Sequence, residues 1–291
     1  MLSVSAPSAM ASHAREARRA GRHVGLVPTM GALHAGHVSL VEEARRRADL
    51  VVMSVFVNPL QFGPGEDFAR YPRDLARDTA LAREAGVDIL WAPSTEAMYP
   101  EPPQVTVAPG PAGDRFEGAV RPGHFAGVLT VVLKLFGVVQ PDVAVFGRKD
   151  FQQAVLIRRM ARDLDLPVEV VVAPTVRERD GLALSSRNAY LDAPARAAAT
   201  ALSRALAHGA AAFRSGERRA AAIAAGARRV LEEGGVLAVD YAECLGPDDL
   251  APLATVDERS VLAVAARVGG TRLIDNVVLG PGLEGDARVA G

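Results

Sequence analysis

Two histidines three residues apart follow the first apolar run of the chain. His34 and His37 lie in the segment PTMGALHAGH, residues 28–37, which continues from the apolar run at residues 24–28. A strand followed directly by a helix places unpaired backbone N–H groups and the positive end of the helix dipole here, and both favour phosphate. Histidines one turn apart can donate to phosphate oxygens as charge builds on them. We favour phosphate binding over the alternatives, helix capping and metal binding.

Two amide side chains follow the second apolar run. Asn58 and Gln61 come directly after residues 50–57. Side-chain amides both donate and accept hydrogen bonds, so this pair is suited to orienting a small substrate with hydroxyl and carboxylate groups. Taken alone, the Asn–Pro pair favours the alternative, an Asx turn, and that alternative stays open.

Lysine is rare in this chain. Of the 33 basic residues only Lys134 and Lys149 are lysines, and all others are arginines. Arginine replaces lysine on almost any solvated face, but not where a compact ammonium must meet an anion. Lys149 follows the apolar run at residues 143–146 and lies between Gly147, which leaves room for a ligand, and Asp150, which can cap a helix or bind ribose. This pattern predicts a phosphate-binding loop at Lys149. The alternative is a solvated loop, which would tolerate arginine as the other loops do. For Lys134, which interrupts an apolar helix, a snorkelling ammonium is the interpretation.

A hydroxyl-rich loop with one cation is the fourth candidate. Ser185, Ser186 and Arg187 follow one another, and two hydroxyls beside a guanidinium can clamp a triphosphate. The alternative is a helix cap and a turn. Gln153 lies one helical turn beyond Asp150 and is expected to face the same way.

Strand-like and helical segments alternate over the first 175 residues. Short apolar runs predict buried strands at residues 24–28, 50–57, 87–91, 143–146 and 168–172. Helical periodicity lies between them, at residues 38–47, 75–85, 127–138 and 151–164. This alternation predicts a Rossmann-like parallel sheet whose ligands bind beyond the carboxyl ends of the strands.

The pattern changes after a polar stretch at residues 177–181. Two Ala/Arg-rich helices at residues 193–214 and 217–233 precede three strands at residues 236–244, 260–266 and 272–278. The pair Gly269–Gly270 is suited to a tight hairpin between the last two strands. We therefore predict an α/β fold, with a Rossmann-like parallel-sheet domain over residues 1–175 and a smaller α+β domain with an antiparallel sheet over residues 176–291.

Composition excludes several classes of partner. Hydrophobic residues are 49% and charged residues 23% of the 291 positions, and the net charge of −1 gives no electrostatic footprint for nucleic acid or an anionic membrane. The apolar run at residues 125–139 is shorter than the ~20 residues of a membrane span.

One cysteine, Cys244, in an apolar stretch, excludes an intramolecular disulfide. Residues 1–24 have no secretory signal pattern, so we expect a cytoplasmic protein.

Taken in chain order, these motifs closely resemble the pantothenate synthetase family of the nucleotidyltransferase superfamily. The resemblance runs from residue 25 to residue 277 and includes YPR at residues 71–73, RPGHFAGV at residues 121–128 and TRLIDN at residues 271–276. It implies an ATP-dependent amide ligase of coenzyme A biosynthesis. Such an enzyme condenses pantoate with β-alanine through a pantoyl adenylate and releases AMP and pyrophosphate. The resemblance also implies Mg²⁺ and a homodimer.

The resemblance assigns roles residue by residue. It gives contacts with ATP to Met30, His34, His37, Gly147, Lys149, Asp150, Val176, Ser185, Ser186 and Arg187. It gives contacts with pantoate to Gln61, Gln153 and Met30, and the metal to Asp78. The residues that it implies in catalysis are His34, His37, Asn58, Lys149 and Arg187.

Three positions depart from the family pattern. Arg148 stands where a glutamate often precedes the lysine, Arg77 where a second acid often precedes Asp78, and Ala35 where a glutamate often lies between the histidines. Arg77 weakens a two-carboxylate metal site, and Arg148 is compatible with a module that binds nucleotide without catalysis. A nucleotidyltransferase that joins AMP or CMP to a phosphorylated acceptor would share the histidine pair. Pantoate-dependent ATP–pyrophosphate exchange distinguishes these alternatives.

Overall fold

The computed structural model describes residues 1–289, which form two compact units. The first unit contains residues 1–147 and 156–173, and the second contains residues 148–155 and the chain from residue 174 onward. Each unit has its own sheet and its own apolar core. The division into domains after residue 175 stays a prediction.

The sheet of the first unit is parallel throughout, as predicted. Its strands are β1 (Leu2–Val4), β2 (Val24–Thr29), β3 (Leu50–Val55), β4 (Ile89–Trp91), β5 (Val143–Gly147) and β6 (Glu169–Ala173), in the order β1-β4-β3-β2-β5-β6. The five predicted strands are confirmed within two residues at each end. The prediction that all five are buried on both faces is wrong for β6, because this strand lies at the sheet edge and is half-exposed.

Helices connect these strands. They are α1 (Pro7–Arg19), α2 (Ala35–Arg45), α3 (Leu75–Glu84), α4 (Thr95–Met98), α5 (Glu117–Val120), α6 (His124–Val139) and α7 (Phe151–Asp163), the last of which spans both units. Strand β1 and helix α1 were not predicted, because β1 has only three residues and α1 buries only Met10 and two alanines. None of the helices in residues 1–289 combines the length and the apolar character that a membrane span requires.

The second unit carries the antiparallel sheet. Its strands are β7 (Thr175–Arg177), β8 (Ala238–Leu245), β9 (Val261–Val268), β10 (Thr271–Val278) and β11 (Ala287–Val289), and its helices are α8 (Ala193–Ala199), α9 (Ala201–Arg214), α10 (Ala220–Glu233) and α11 (Gly282–Asp286). Strands β8, β9 and β10 form one sheet, while β7 pairs in parallel with β11. Val268 pairs with Thr271, which confirms the two-glycine hairpin.

Two details of the second unit bear on the sequence interpretation. The single helix predicted over residues 193–214 is wrong, because the chain makes two helices separated at Thr200. Cys244 is a small buried hydrophobe, as interpreted, and burial raises the pKa of its thiol to about 12, so it is unreactive.

The strand order has a topological switch point at β2. Strand β2 pairs with β3 on one side and with β5 on the other, so successive crossovers leave the sheet in opposite directions from this point. Ligands of open parallel sheets bind at such a switch point, outside the carboxyl ends of the strands. The segment with His34 and His37 follows β2, and the segment with Lys149 follows β5.

Candidate active site

His34 and His37 cap the first turn of α2. The Nδ1 atom of His34 accepts a hydrogen bond from the backbone N–H of Gly36 at 3.1 Å, and Nδ1 of His37 accepts from the N–H of His34 at 3.2 Å. The capping interpretation is therefore correct, but it does not exclude phosphate binding. Because each Nδ1 accepts, the proton of the neutral ring lies on Nε2. Both histidines are thereby fixed as Nε2–H donors, with ring centroids 4.1 Å apart.

Asp78 supports the loop between β2 and α2. Its two carboxylate oxygens accept hydrogen bonds from the N–H groups of Ala32, at 2.9 Å, and Leu33, at 2.8 Å. Ala32 has a φ of +50°, a left-handed conformation that costs free energy in a residue with a side chain. At Gly31, with φ +85°, a Cβ would lie 2.9 Å from the Asp78 carboxylate. The buried carboxylate holds the backbone in this shape.

These contacts do not fit the predicted metal role of Asp78. Its side chain is 1% exposed and both oxygens already accept backbone hydrogen bonds. Mg²⁺ keeps several waters and needs accessible oxygen ligands. Among the side chains that the structure describes, no group of three or more His, Cys, Asp or Glu could hold a metal ion. We therefore assign Asp78 to the support of the loop.

Replacing Asp78 by alanine is expected to lower the free energy of unfolding by about 2 kcal/mol, because two N–H groups lose their buried acceptor. Asp78→Asn should be nearly as harmful, since its NH₂ group would face a backbone donor. Asp74→Ala is the matched control, because Asp74 caps the same helix by accepting from Arg77 N–H without touching the loop. Urea unfolding measures these differences, and a stable Asp78→Ala protein would contradict the supporting role.

Asn58 and Gln61 form a buried pair. Asn58 Nδ2 donates to Gln61 Oε1 and to the carbonyl of Gly127, both at 3.1 Å, while Asn58 Oδ1 accepts from Leu60 N–H at 3.4 Å. The Asx-turn interpretation is thus correct, and the side chain also orients Gln61. A Cβ at Gly127 would lie 2.1 Å from the carbonyl oxygen of Leu60. Only glycine lets α6 approach this turn so closely.

The main chain of Gln61 is held by two residues outside the set predicted from the sequence. His124 Nδ1 lies 2.8 Å from the Gln61 carbonyl oxygen, and Arg121 Nη2 donates to the same oxygen at 3.2 Å. Arg121 also forms an ion pair with Glu66 at 2.6 Å. Burial, and then the charge of Arg121, lower the pKa of His124 to about 4. The ring is therefore neutral and donates from Nδ1. The RPGH motif at residues 121–124 is the sequence feature that could have identified Arg121 and His124 as site residues.

The lowered pKa of His124 predicts a loss of stability in acid. Below its ordinary pKa of 6.5 the unfolded chain binds a proton that the folded chain, with a pKa of about 4, does not. The free energy of unfolding is therefore unaffected above pH 6.5 and falls by about 3 kcal/mol between pH 7 and pH 4. Urea unfolding across this range should show this slope in the wild type and not in His124→Gln. Parallel pH profiles would refute the assignment.

In the second unit, Lys149 lies on a short 3₁₀ turn, Arg148–Asp150, that packs against β10. The Nδ2 group of Asn276 donates to the carbonyl oxygens of Arg148 and Lys149, both at 3.0 Å. The Lys149 ammonium lies 3.6 Å from the carboxylate of Asp150, and its side chain is 20% exposed. The backbone that carries this cation is thus fixed. Gln153, on α7, is half-buried.

The hydroxyl loop is also a capped turn. Ser185 Oγ accepts from the N–H of Arg187 at 3.3 Å and begins the 3₁₀ turn Ser186–Tyr190, which contacts β10 as well. The capping interpretation is correct here too. Val176, which the resemblance assigns to ATP, lies buried in β7. Strand β10 is therefore the common neighbour of the Lys149 turn and of the turn after Ser185.

Arg177, the first residue of the polar stretch at residues 177–181, is a buried cation. It is 4% exposed, and its guanidinium forms a bidentate pair with Asp275 at 2.6 and 2.9 Å. The same guanidinium donates to the carbonyls of Gly181 and Asn276. This ion pair ties β7 to β10, directly beside the amide that holds the Lys149 turn. The TRLIDN motif signalled Asp275, but nothing local paired it with Arg177.

The structure thus assembles the predicted residues in two groups, one in each unit. The first unit brings together Met30, His34, His37, Asn58, Gln61 and Asp78. The second carries Lys149, Asp150, Gln153, Val176, Ser185, Ser186 and Arg187, while Gly147 ends β5 of the first. A parallel sheet with capped imidazole donors after its central strand defines a class of α/β nucleotide-binding proteins.

Comparison with known proteins gives the family. Residues 3–278 match the family model described as pantoate–β-alanine ligase, and the chain belongs to this family. It is 52% identical over 283 residues to a pantothenate synthetase of Saccharopolyspora erythraea, covering 97% of this chain and 92% of that protein. It is 55% identical over 256 residues to a pantothenate synthetase of Acidiphilium cryptum, covering 88% and 91%.

Solved structures agree with this membership. A pantothenate synthetase from Thermus thermophilus superposes with a TM-score of 0.91 at 49% identity, over 97% of this chain and 100% of that one. A pantoate–β-alanine ligase from Francisella tularensis, crystallised with beta-gamma ATP and β-alanine, gives a TM-score of 0.80 at 30% identity, over 97% and 99%. The fold predicted from the sequence is confirmed.

Proposed function

We propose that this chain condenses pantoate with β-alanine and converts ATP to AMP and pyrophosphate through a pantoyl adenylate. The observation that carries the proposal is the grouping in the first unit. Two imidazoles fixed as Nε2–H donors begin the helix after the central strand, and the preceding loop contacts a buried amide pair through Met30 and Gln61, at 3.1 Å. Hydrogen-bond donors suited to phosphate thus lie beside side-chain amides suited to a hydroxy acid.

In the first step a carboxylate oxygen of pantoate attacks the α-phosphorus of ATP. The bond from this phosphorus to the oxygen that bridges to the β-phosphate breaks, and pyrophosphate leaves. Both reactants are anions, so the barrier is lowered by positioning and by neutralising the charge that builds on phosphate oxygens. We assign this neutralisation to His34, His37, Lys149, Ser185, Ser186 and Arg187.

The second step forms the amide. The amine nitrogen of β-alanine attacks the acyl carbon of the adenylate, the bond from this carbon to the AMP oxygen breaks, and the nitrogen releases its proton. Pantoate must stay in place through both steps. We assign its binding to Gln61, Gln153 and Met30, with Asn58 orienting Gln61. Gly147, Asp150 and Val176 are assigned to the ribose and adenine of ATP.

Three further features are proposed on the family resemblance. Mg²⁺ accompanies ATP as the counter-ion of its phosphates, with no ligand role for Asp78. The protein acts in the cytoplasm and forms a homodimer. Sedimentation velocity tests the last point, because a monomer at assay concentration would contradict it.

Pantoate-dependent ATP–pyrophosphate exchange without β-alanine tests the proposal. We expect labelled pyrophosphate to enter ATP only when pantoate and Mg²⁺ are present, because only then does a reversible adenylate form. Adding β-alanine should release AMP in a 1:1 ratio with pantothenate. Binding of ATP without exchange would indicate a non-catalytic nucleotide-binding module. Exchange that needs a phosphorylated acceptor instead of pantoate would indicate a nucleotidyltransferase.

A further inference from the structure

Tyr99 lies at the end of a hydrogen-bond chain that leads to the proposed pantoate site. Its hydroxyl group donates to Asn58 Oδ1 at 3.0 Å. Asn58 Nδ2 in turn donates to Gln61 Oε1 at 3.1 Å, and Gln61 Nε2 donates to the sulfur of Met30 at 3.1 Å. Asn58 is 1% exposed and Gln61 is 8% exposed, so water does not replace these contacts. Nothing in the local sequence around Tyr99 signalled this connection.

The orientation of the Asn58 amide is fixed by its backbone neighbours. The carbonyl of Gly127 can only accept a hydrogen bond, so Asn58 must direct Nδ2 toward it. The backbone N–H of Leu60 can only donate, so Asn58 must direct Oδ1 toward that group. Tyr99 is then necessarily the donor in its bond with Oδ1. Burial raises the pKa of Tyr99 to about 12, so the phenol keeps this proton throughout the neutral range.

The fixed amide of Asn58 also fixes that of Gln61. Because Asn58 presents an N–H group, Gln61 must present its oxygen to Asn58 and its NH₂ group on the other side. A rotated Gln61 would place two donors against each other. Within residues 1–289 the Met30 sulfur is the one acceptor for this NH₂ group, and a thioether is a weak acceptor. The second N–H of Gln61 is therefore suited to an acceptor oxygen of a ligand.

Lys134 stabilises the position of the Tyr99 ring. Its ammonium lies 5.2 Å from the ring centroid, within the range of a cation–π interaction. Phe56 packs on the same tyrosine with centroids 6.1 Å apart. The second lysine of the chain thus contacts an aromatic ring, where the sequence had suggested only a snorkelling ammonium.

We propose that Tyr99 is a positioning residue, which acts through Asn58 to fix the Gln61 amide with its N–H group toward a carboxylate or hydroxyl oxygen of pantoate. Lys134 assists by holding the tyrosine ring. This inference rests on the proposed function, because it assigns Gln61 to pantoate. It also defines the substrate chemistry, since a ligand that offers only a donor at this point would not be bound.

Tyr99→Phe tests the proposal, because it keeps the ring under Lys134 and removes only the hydroxyl. In the exchange assay we expect the KM for pantoate to rise about three- to tenfold, as for the loss of one net hydrogen bond, and the KM for ATP to change less than about twofold. Lys134→Met, which keeps the apolar stem, should raise the pantoate KM about two- to threefold. Tyr241→Phe removes a phenol from the second unit and should leave both constants unchanged.

A double-mutant cycle separates positioning from a general effect on folding. In a Gln61→Ala background the Tyr99→Phe change should alter the pantoate KM by less than about twofold, because its effect passes through Gln61. A full effect in that background, equal rises in both KM values, or an unchanged pantoate KM would each overturn the proposal. If Tyr99→Phe does not fold, Lys134→Met supplies the same comparison. Absence of exchange in the wild type would instead overturn the proposed function, and this inference with it.

Discussion

Replacing Lys149 by alanine is expected to slow pantoate-dependent ATP–pyrophosphate exchange by about 100- to 1,000-fold, because one preorganised charge at a transition state contributes roughly 3–4 kcal/mol. The reaction brings two anions together, so a missing cation raises the barrier of the chemical step. The turn that carries Lys149 has two carbonyls fixed by Asn276, which supports a precise position of the ammonium. The backbone that carries the ammonium is therefore fixed.

Two variants make this test specific. Lys149→Arg keeps the charge but replaces a compact ammonium with a planar guanidinium, so we expect it to recover only part of the rate. Arg162→Ala removes an exposed cation near the end of α7 and should leave exchange unchanged. The measurement is the initial exchange rate at saturating ATP and pantoate, with circular dichroism to verify folding. Near-normal exchange by Lys149→Ala would refute the role.

The second large effect concerns the buried ion pair between Arg177 and Asp275. Asp275→Ala is expected to lower the free energy of unfolding by about 3–5 kcal/mol, because it leaves a guanidinium buried without its counter-charge. Arg177 already has an Nε atom without a hydrogen-bond partner in the described part of the chain. The buried guanidinium therefore has few other acceptors that could replace the Asp275 carboxylate. Urea unfolding followed by circular dichroism measures the loss.

The double variant Arg177→Met with Asp275→Leu distinguishes the charge from the packing. Apolar residues of similar volume often replace a buried ion pair without loss, so we expect the pair of changes to recover most of the stability. Arg259→Ala is the control for an ion pair on the surface, because its partner Asp248 and Arg259 itself are both about two-thirds exposed. It should change stability by less than about 1 kcal/mol. A similarly small loss in Asp275→Ala would contradict the structural role of the buried pair.

Adjacent residues of β10 support both the buried ion pair and the Lys149 turn of the active site. Asp275 binds Arg177, and the next residue, Asn276, holds the backbone of the Lys149 turn. We expect stabilised double variants to retain exchange, since the amide of Asn276 stays in place. A folded double variant without exchange would show that the ion pair itself positions Lys149.

Much of the fold could be predicted because the signals are local. The strands of the parallel sheet are continuous apolar runs, since central strands are buried on both faces, and the hairpin before Thr271 follows from two adjacent glycines. The motif residues were likewise found from position, because parallel strands all present their carboxyl ends at one edge of the sheet. These properties depend on short segments, so the residue types and their spacing along the chain are enough to predict them.

The tertiary structure decided which residues far apart in the sequence contact one another. Asp78 binds the loop at Ala32 and Leu33 from 46 and 45 residues away. Tyr99 binds Asn58 from 41 residues away, and Arg177 binds Asp275 from 98 residues away. No periodicity relates such residues, because folding brings them together only after the elements pack. The sequence by itself determined five of the six strands of the parallel sheet, the motif residues and the family. The assignment of Asp78 to a loop and not to a metal needed the packed structure, since only there are both carboxylate oxygens seen to accept backbone hydrogen bonds.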